Sequence, residues 1–256
     1  IPENAKIVCI ATRDEAYLNQ PQFKFKNFFY HEYRNSNIEN YYLTMNFLVE
    51  SGYYVFRMGS KVSTKLKINN PKIIDYACSK FQDDFLDIFL GHRCSFAITD
   101  TSGWSAIPEI FRKPILFTNL VPIGLPSTRS YKHLILFKKY FSKSKKRLLN
   151  LNEIFSSGAG FFLKSSQYKN LGIKLIENSP NEILYSTNTM LEQINSNFKL
   201  KNEEKLLQYK FWKQYEKNYK TYKKNNETKT KLIRIHGELK ARIPFQFLKE
   251  NQNWLI

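Results

Sequence analysis

The stretch Cys94–Asn119, CSFAITDTSGWSAIPEIFRKPILFTN, decides the fold. An apolar run, Phe96–Ile98, enters a small polar turn, Thr99-Asp100-Thr101-Ser102-Gly103, and the spacing from Ser105 to Phe111 is helical. A second apolar run, Pro114–Phe117, ends at Thr118-Asn119. Strand, loop, helix and strand in this order join two parallel strands of one sheet. Polar and glycine residues gather where the first strand ends and the helix begins. Open parallel sheets bind ligands at that end, and unpaired helix N–H groups favour an anion there.

The flanking sequence repeats the pattern. Lys6–Ala11 reads as a buried strand, followed by the polar turn Thr12-Arg13-Asp14-Glu15. Pro21–Asn37 is aromatic, basic and irregular, as in a long functional loop. Ile38–Ser51 has helical spacing and stops at Gly52. Tyr53–Arg57 is the next strand, closing on Met58-Gly59-Ser60, and Lys72–Tyr76 is a short one. Phe81–Leu90 reads as a helix ended by Gly91. Strands alternating with helices predict an α/β fold with a doubly wound parallel sheet. Beyond Asn119, Leu134–Phe137 is an apolar run and Leu151–Phe155 a short element. Asn181–Phe198 and Glu203–Tyr222 read as helices, with Lys223–Lys229 a polar connector. The expected division is one α/β domain over residues 1–198 and a basic helical C-terminal extension over residues 199–256.

At 256 residues and 42% hydrophobic content the chain can bury a substantial core. No run approaches the roughly 18–20 apolar residues of a membrane-spanning helix. Ile1-Pro2-Glu3-Asn4 lacks the basic start and apolar segment of a signal peptide, and the absence of an initiating Met suggests a piece of a longer protein. Cys9, Cys78 and Cys94 have no paired metal spacing and read as buried free thiols in a reducing compartment. The net charge is +18, yet lysines outnumber arginines 31 to 9. With abundant Asn, Ile, Tyr and Phe, this fits an AT-rich coding bias. No zinc-finger, RRM or helix-turn-helix signature accompanies the charge, so no specific nucleic acid is expected as partner. An anionic membrane surface attracts such a chain at about 1 kcal/mol per nearby basic residue. Lys138–Arg147 is the densest run for that contact, with a solvated loop as the alternative reading.

Several separated motifs carry a resemblance. Ser102-Gly103, Glu109 and Lys113-Pro114 are similar to the donor-site strip in the C-terminal half of GT-B glycosyltransferases. Tyr53–Gly59, Ile74-Asp75-Tyr76-Ala77, Asp87-Ile88-Phe89-Leu90 and Ile176–Ile183 resemble glycosyltransferases of bacterial surface-polysaccharide gene clusters. The likeness runs from about Ala5 to Trp254. It implies the Rossmann-like, nucleotide-sugar-binding half of a GT-B fold, with the N-terminal acceptor domain outside this chain. The implied enzyme takes a sugar from a nucleotide donor to a cell-surface glycan or lipid-linked acceptor. It would work in the cytoplasm, peripheral at the inner membrane face, without cofactor or metal. No Asp-X-Asp occurs in the sequence, and Asp83-Asp84 reads as a helix cap.

The chemistry needs cationic or N–H-rich groups for the diphosphate and a base for the acceptor hydroxyl. Arg13 and Asp14 follow the first strand and are the candidate catalytic pair. Arg57, Gly59, Thr101, Ser102, Gly103, Glu109 and Asn119 are the candidate donor-binding residues, Glu109 by resemblance as a ribose ligand. His31 and Arg34 are candidates for the acceptor or the donor sugar. His92, His133 and His236 are scattered and form no Ser/His/Asp set. At the start of the helix the chain has Ser-Gly-Trp where the more familiar GT-B strip has Glu-Gly. Two other readings stay open: a nucleotide-sugar 2-epimerase-like enzyme, and a non-catalytic module that binds polyanions.

Overall fold

The structure, a computed structural model, describes residues 1–21, 29–126, 130–194, 198–226 and 239–256. The expected Pro21–Asn37 loop and Lys223–Lys229 connector lie partly outside these residues, and His236 wholly so. Strand β1 (Lys6–Ala11) is followed by a 3-10 turn at Phe29–Arg34, a second at Ile38–Tyr41, and helix α1 (Tyr42–Glu50). Strands β2 (Tyr53–Met58) and β3 (Ile73–Ile74), helix α2 (Asp84–Arg93) and strand β4 (Phe96–Thr99) come next. Helix α3 (Ala106–Ile110) leads to β5 (Ile115–Leu120) and β6 (Leu134–Phe137). The six strands form an all-parallel sheet in the order β3-β2-β1-β4-β5-β6. That is a Rossmann-like sheet, as the repeated strand–helix pattern predicts.

The strand cores are buried on both faces, which is why β4, β5 and β6 read as continuous apolar runs rather than alternating ones. Register places Ala11 opposite both Met58 and Thr99. The loops that leave β1, β2 and β4 therefore start along one edge. Strand order reverses between β1 and β4, and right-handed crossovers send the connecting helices to opposite faces there.

Three readings are corrected. Gly91 does not end α2, which continues to Arg93. A Cβ on Gly91 would stand 2.5 Å from Ile107 Cγ2, so the missing side chain serves the approach of α2 to α3. Lys138–Arg147 is a solvated loop only at Lys143–Lys146, an exposed turn. The run forms strand β7 (Lys139–Ser142) and strand β8 (Arg147–Leu148) of a separate antiparallel sheet. Lys138 is buried and donates to the Asn35 carbonyl at 2.5 Å, while Lys139 pairs with Glu182 at 2.6 Å. Lys145 and Arg147 both hold Glu153, each at 2.6 Å, and that contact pulls the Glu153 carboxyl down to about 2. Finally, Cys9 and Cys94 are buried free thiols, but Cys78 is exposed.

The rest of the chain closes over the sheet. Helices α4 (Leu151–Ser156) and α5 (Ser165–Asn170) precede strand β9 (Ile173–Ile176), which pairs with β7. Helices α6 (Pro180–Ile194), α7 (Asn202–Asn225) and α8 (Phe245–Glu250) follow. Phe211, Tyr215 and Trp254 belong to the same core cluster as β1 and β5. Arg242 makes a parallel bridge to Leu134 at the β6 edge. The described residues of the C-terminal stretch 199–256 thus share one core with the preceding domain.

Candidate functional site

The loops at the β1, β2 and β4 ends border a cleft of about 390 Å³. Arg13 and Asp14 line it from β1, Gly59, Ser60 and Lys61 from β2, and Ser102, Gly103 and Trp104 from β4. Asp87 of α2 and Ile107 of α3 complete the lining. The cleft lies at the reversal of strand order, where open α/β sheets take ligands. Arg13, Asp14, Gly59, Ser102 and Gly103 are brought together there as the sequence predicts.

Asp100, directly after β4, organises this edge. It is fully buried, and its Oδ2 accepts the Arg13 backbone N–H at 2.6 Å and the Ser36 hydroxyl at 2.8 Å. Its Oδ1 has no hydrogen-bond partner among the described residues. Burial lifts its carboxyl to about 6 against the stabilising pull of those donors. The Ser36 N–H returns to the Arg13 carbonyl at 2.9 Å, so the peptide groups on both sides of Arg13 are pinned.

Arg13 itself is half-buried, and its Nε is buried without a hydrogen-bond partner among the described residues. Burial, then the nearby Arg34, lowers the pKa of its guanidinium. His31 is held below its ordinary value by burial, Arg34 and Arg13, in that order. Arg13, His31 and Arg34 are therefore neighbours, and Arg13 and His31 share a small recess beside the cleft. Arg34 is anchored: its Nε donates to Thr101 Oγ1 at 3.0 Å and its Nη2 to the Thr101 carbonyl. Thr101 meets Arg34 rather than the cleft.

Asp14 bridges two loops. Its Oδ1 accepts from the Ala16 N–H at 2.9 Å and its Oδ2 from the Ser63 N–H at 2.8 Å. Ser102 caps the turn into α3 by accepting the Ser105 hydroxyl at 2.7 Å, and its own Oγ lies 3.3 Å from Thr99 Oγ1. The expected Ser105–Phe111 helix is only Ala106–Ile110 with a 3-10 lead at Gly103–Ser105. Its dipole is correspondingly small, and an anion there would rely on Arg13 and Lys61.

Two expected donor ligands are committed elsewhere. Arg57 is buried: its Nη1 donates to the Thr64 carbonyl at 2.9 Å and pairs with Asp75 at 3.2 Å. A strand-end Arg inside a sheet needs a carboxylate, and Asp75 supplies it. Asn119 is buried in a reciprocal pair with Asn178, each backbone N–H donating to the other's Oδ1 at 2.6 and 2.7 Å. Its Nδ2 reaches Tyr41 Oη at 3.2 Å. Both are corrected to structural roles. Glu109 lies half-buried on α3 and is not part of the cleft lining.

Asp100, Lys61, Asp87 and Trp104 were not singled out from the sequence. For Asp100 the signal was present, a carboxylate placed immediately after a fully apolar strand. Asp87, raised above the usual carboxylate range mainly by burial, and Trp104 looked like ordinary helix and turn residues. Among the described residues no group of three or more His, Cys, Asp or Glu is placed to share a metal ion. No described helix is long and apolar enough to cross a membrane. The fold and cleft define a Rossmann-like α/β protein with a cleft at its switch point. No protein-family profile, curated protein or solved structure matches the chain.

Proposed function

We propose that this chain is the donor-binding half of a metal-independent GT-B glycosyltransferase. It would move a sugar from an activated nucleotide to a cell-surface glycan or lipid-linked acceptor at the cytoplasmic side of the inner membrane. The observation that carries the reading is Arg13, which lines the switch-point cleft with its backbone N–H held by Asp100 and its Nε without a hydrogen-bond partner among the described residues. A nucleoside diphosphate leaving group gains negative charge as its bond to the sugar breaks, and a guanidinium at the cleft would stabilise that charge. Lys61 adds a second cation on the β2 side, and Gly103 leaves space at the β4 side, since a Cβ there would meet nothing within 4 Å.

Asp14 supports the reading as a carboxylate that lines the cleft, oriented by two backbone N–H groups. His31, its pKa lowered by burial and then by Arg34 and Arg13, is suited to accept a hydrogen bond from a sugar hydroxyl. The test is a thermal-shift panel of UDP, GDP, CDP, CMP and ADP with and without EDTA. Stabilisation by one nucleotide that survives EDTA supports the proposal and names the donor class. Small, equal shifts erased by salt would overturn it. Product analysis with the matching nucleotide sugar then separates transfer, which frees nucleotide, from epimerisation, which does not.

A further inference from the structure

Helix α7 buries Phe211, Tyr215, Asn218 and Tyr219 against the body of the protein. Its opposite face carries five exposed lysines, Lys210, Lys213, Lys217, Lys220 and Lys224. At 100° per residue these fall within an arc of about 80°, one unbroken stripe, and from Leu206 it runs about 27 Å. No ion pair among the described residues neutralises any of the five. Five like charges in one row repel one another. Folding gains nothing from that arrangement.

The stripe has an apolar end. Leu206 is 49% exposed and Tyr209 61%. These side chains border an open groove of about 580 Å³. We infer that the outer face of α7 docks this protein on an anionic lipid bilayer, lysines over the headgroup phosphates and Leu206 and Tyr209 at the headgroup–acyl boundary. Charge complementarity carries the choice of a polyanionic partner. The apolar end favours lipid over nucleic acid, which offers no apolar phase to receive the exposed Leu206. Because the apolar face of α7 is already committed to the core, the helix would rest on the surface rather than sink into it. This inference is independent of the nucleotide reading, because the stripe shares no residue with the switch-point cleft.

The experiment is co-sedimentation of the whole chain with vesicles of phosphatidylcholine alone and of phosphatidylcholine with about a third phosphatidylglycerol, whose surface potential attracts basic residues. Binding is expected only to the anionic vesicles and should weaken with salt. The triple variant Lys210→Gln, Lys217→Gln and Lys224→Gln should lower the partition coefficient on the order of a hundred-fold. Leu206→Asp should lower it independently. All four positions are exposed, and an unchanged circular dichroism spectrum checks the fold. Equal binding to neutral vesicles, or an unaffected triple variant, would overturn the inference. So would tighter binding to a single-stranded RNA oligonucleotide than to the anionic vesicles at the same salt.

Discussion

Asp100 Oδ2 holds the backbone N–H of Arg13 at 2.6 Å, joining the ends of β1 and β4 where strand order reverses. The bond holds the Arg13 backbone at the cleft edge, and the buried Nε of its side chain has no hydrogen-bond partner among the described residues. A buried carboxylate with one unpartnered oxygen is costly to ionise, which is a stability statement as well as a geometric one.

Folding raises the Asp100 carboxyl from its ordinary range to about 6. Between the unfolded and folded values the native state binds more protons, so stability falls as pH rises from about 4 to about 6. The contribution is on the order of 3 kcal/mol. Asp100→Asn keeps the acceptor for the Arg13 N–H and cannot ionise. Urea unfolding at several pH values should show that this variant loses the downward slope over that window. An unchanged slope would assign it to other groups.

Arg57 should behave in the opposite way to Arg13. Its guanidinium is buried against Asp75 and Thr64. Arg57→Met leaves Asp75 without its cation and should cost about 3 kcal/mol of stability. Nucleotide binding by the folded fraction should not change. A loss of affinity without a loss of stability would return Arg57 to the donor site.

Gly91 links helix packing to the cleft. A Cβ there would meet Ile107 at 2.5 Å and Trp104 at 3.6 Å, and both of those residues line the cleft. Gly91→Ala should destabilise by about 1–3 kcal/mol through overpacking and alter Trp104 fluorescence. If both readouts match the parent protein, α2 and α3 have room that the packing does not indicate.

The parallel sheet was legible because β1, β2, β4 and β5 are continuous apolar runs with polar turns at their ends. Periodicity could not reveal the antiparallel sheet. Lys139-Tyr-Phe-Ser142 reads as charged loop until Lys139 finds Glu182 and Tyr140 goes inside. The site was legible in its loops, since Arg13, Asp14, Gly59, Ser102 and Gly103 meet as expected. It was not legible where a residue's role depends on a distant partner. Arg57 looked like a phosphate ligand because Asp75 is 18 positions away, and Asn119 because Asn178 is 59 away. Asp100 was passed over for the same reason, its partners lying 87 and 64 positions back in the chain.

The most direct measurement is isothermal titration of the nucleotide selected by the thermal-shift panel, in EDTA, into the parent chain and Arg13→Gln. Saturable one-site binding is expected for the parent. The variant should keep its stability and lose about 10–100-fold in affinity, the value of one charge-assisted contact to phosphate. Equal affinity in the two proteins, or no heat from the parent at millimolar nucleotide, would contradict a diphosphate site built on Arg13.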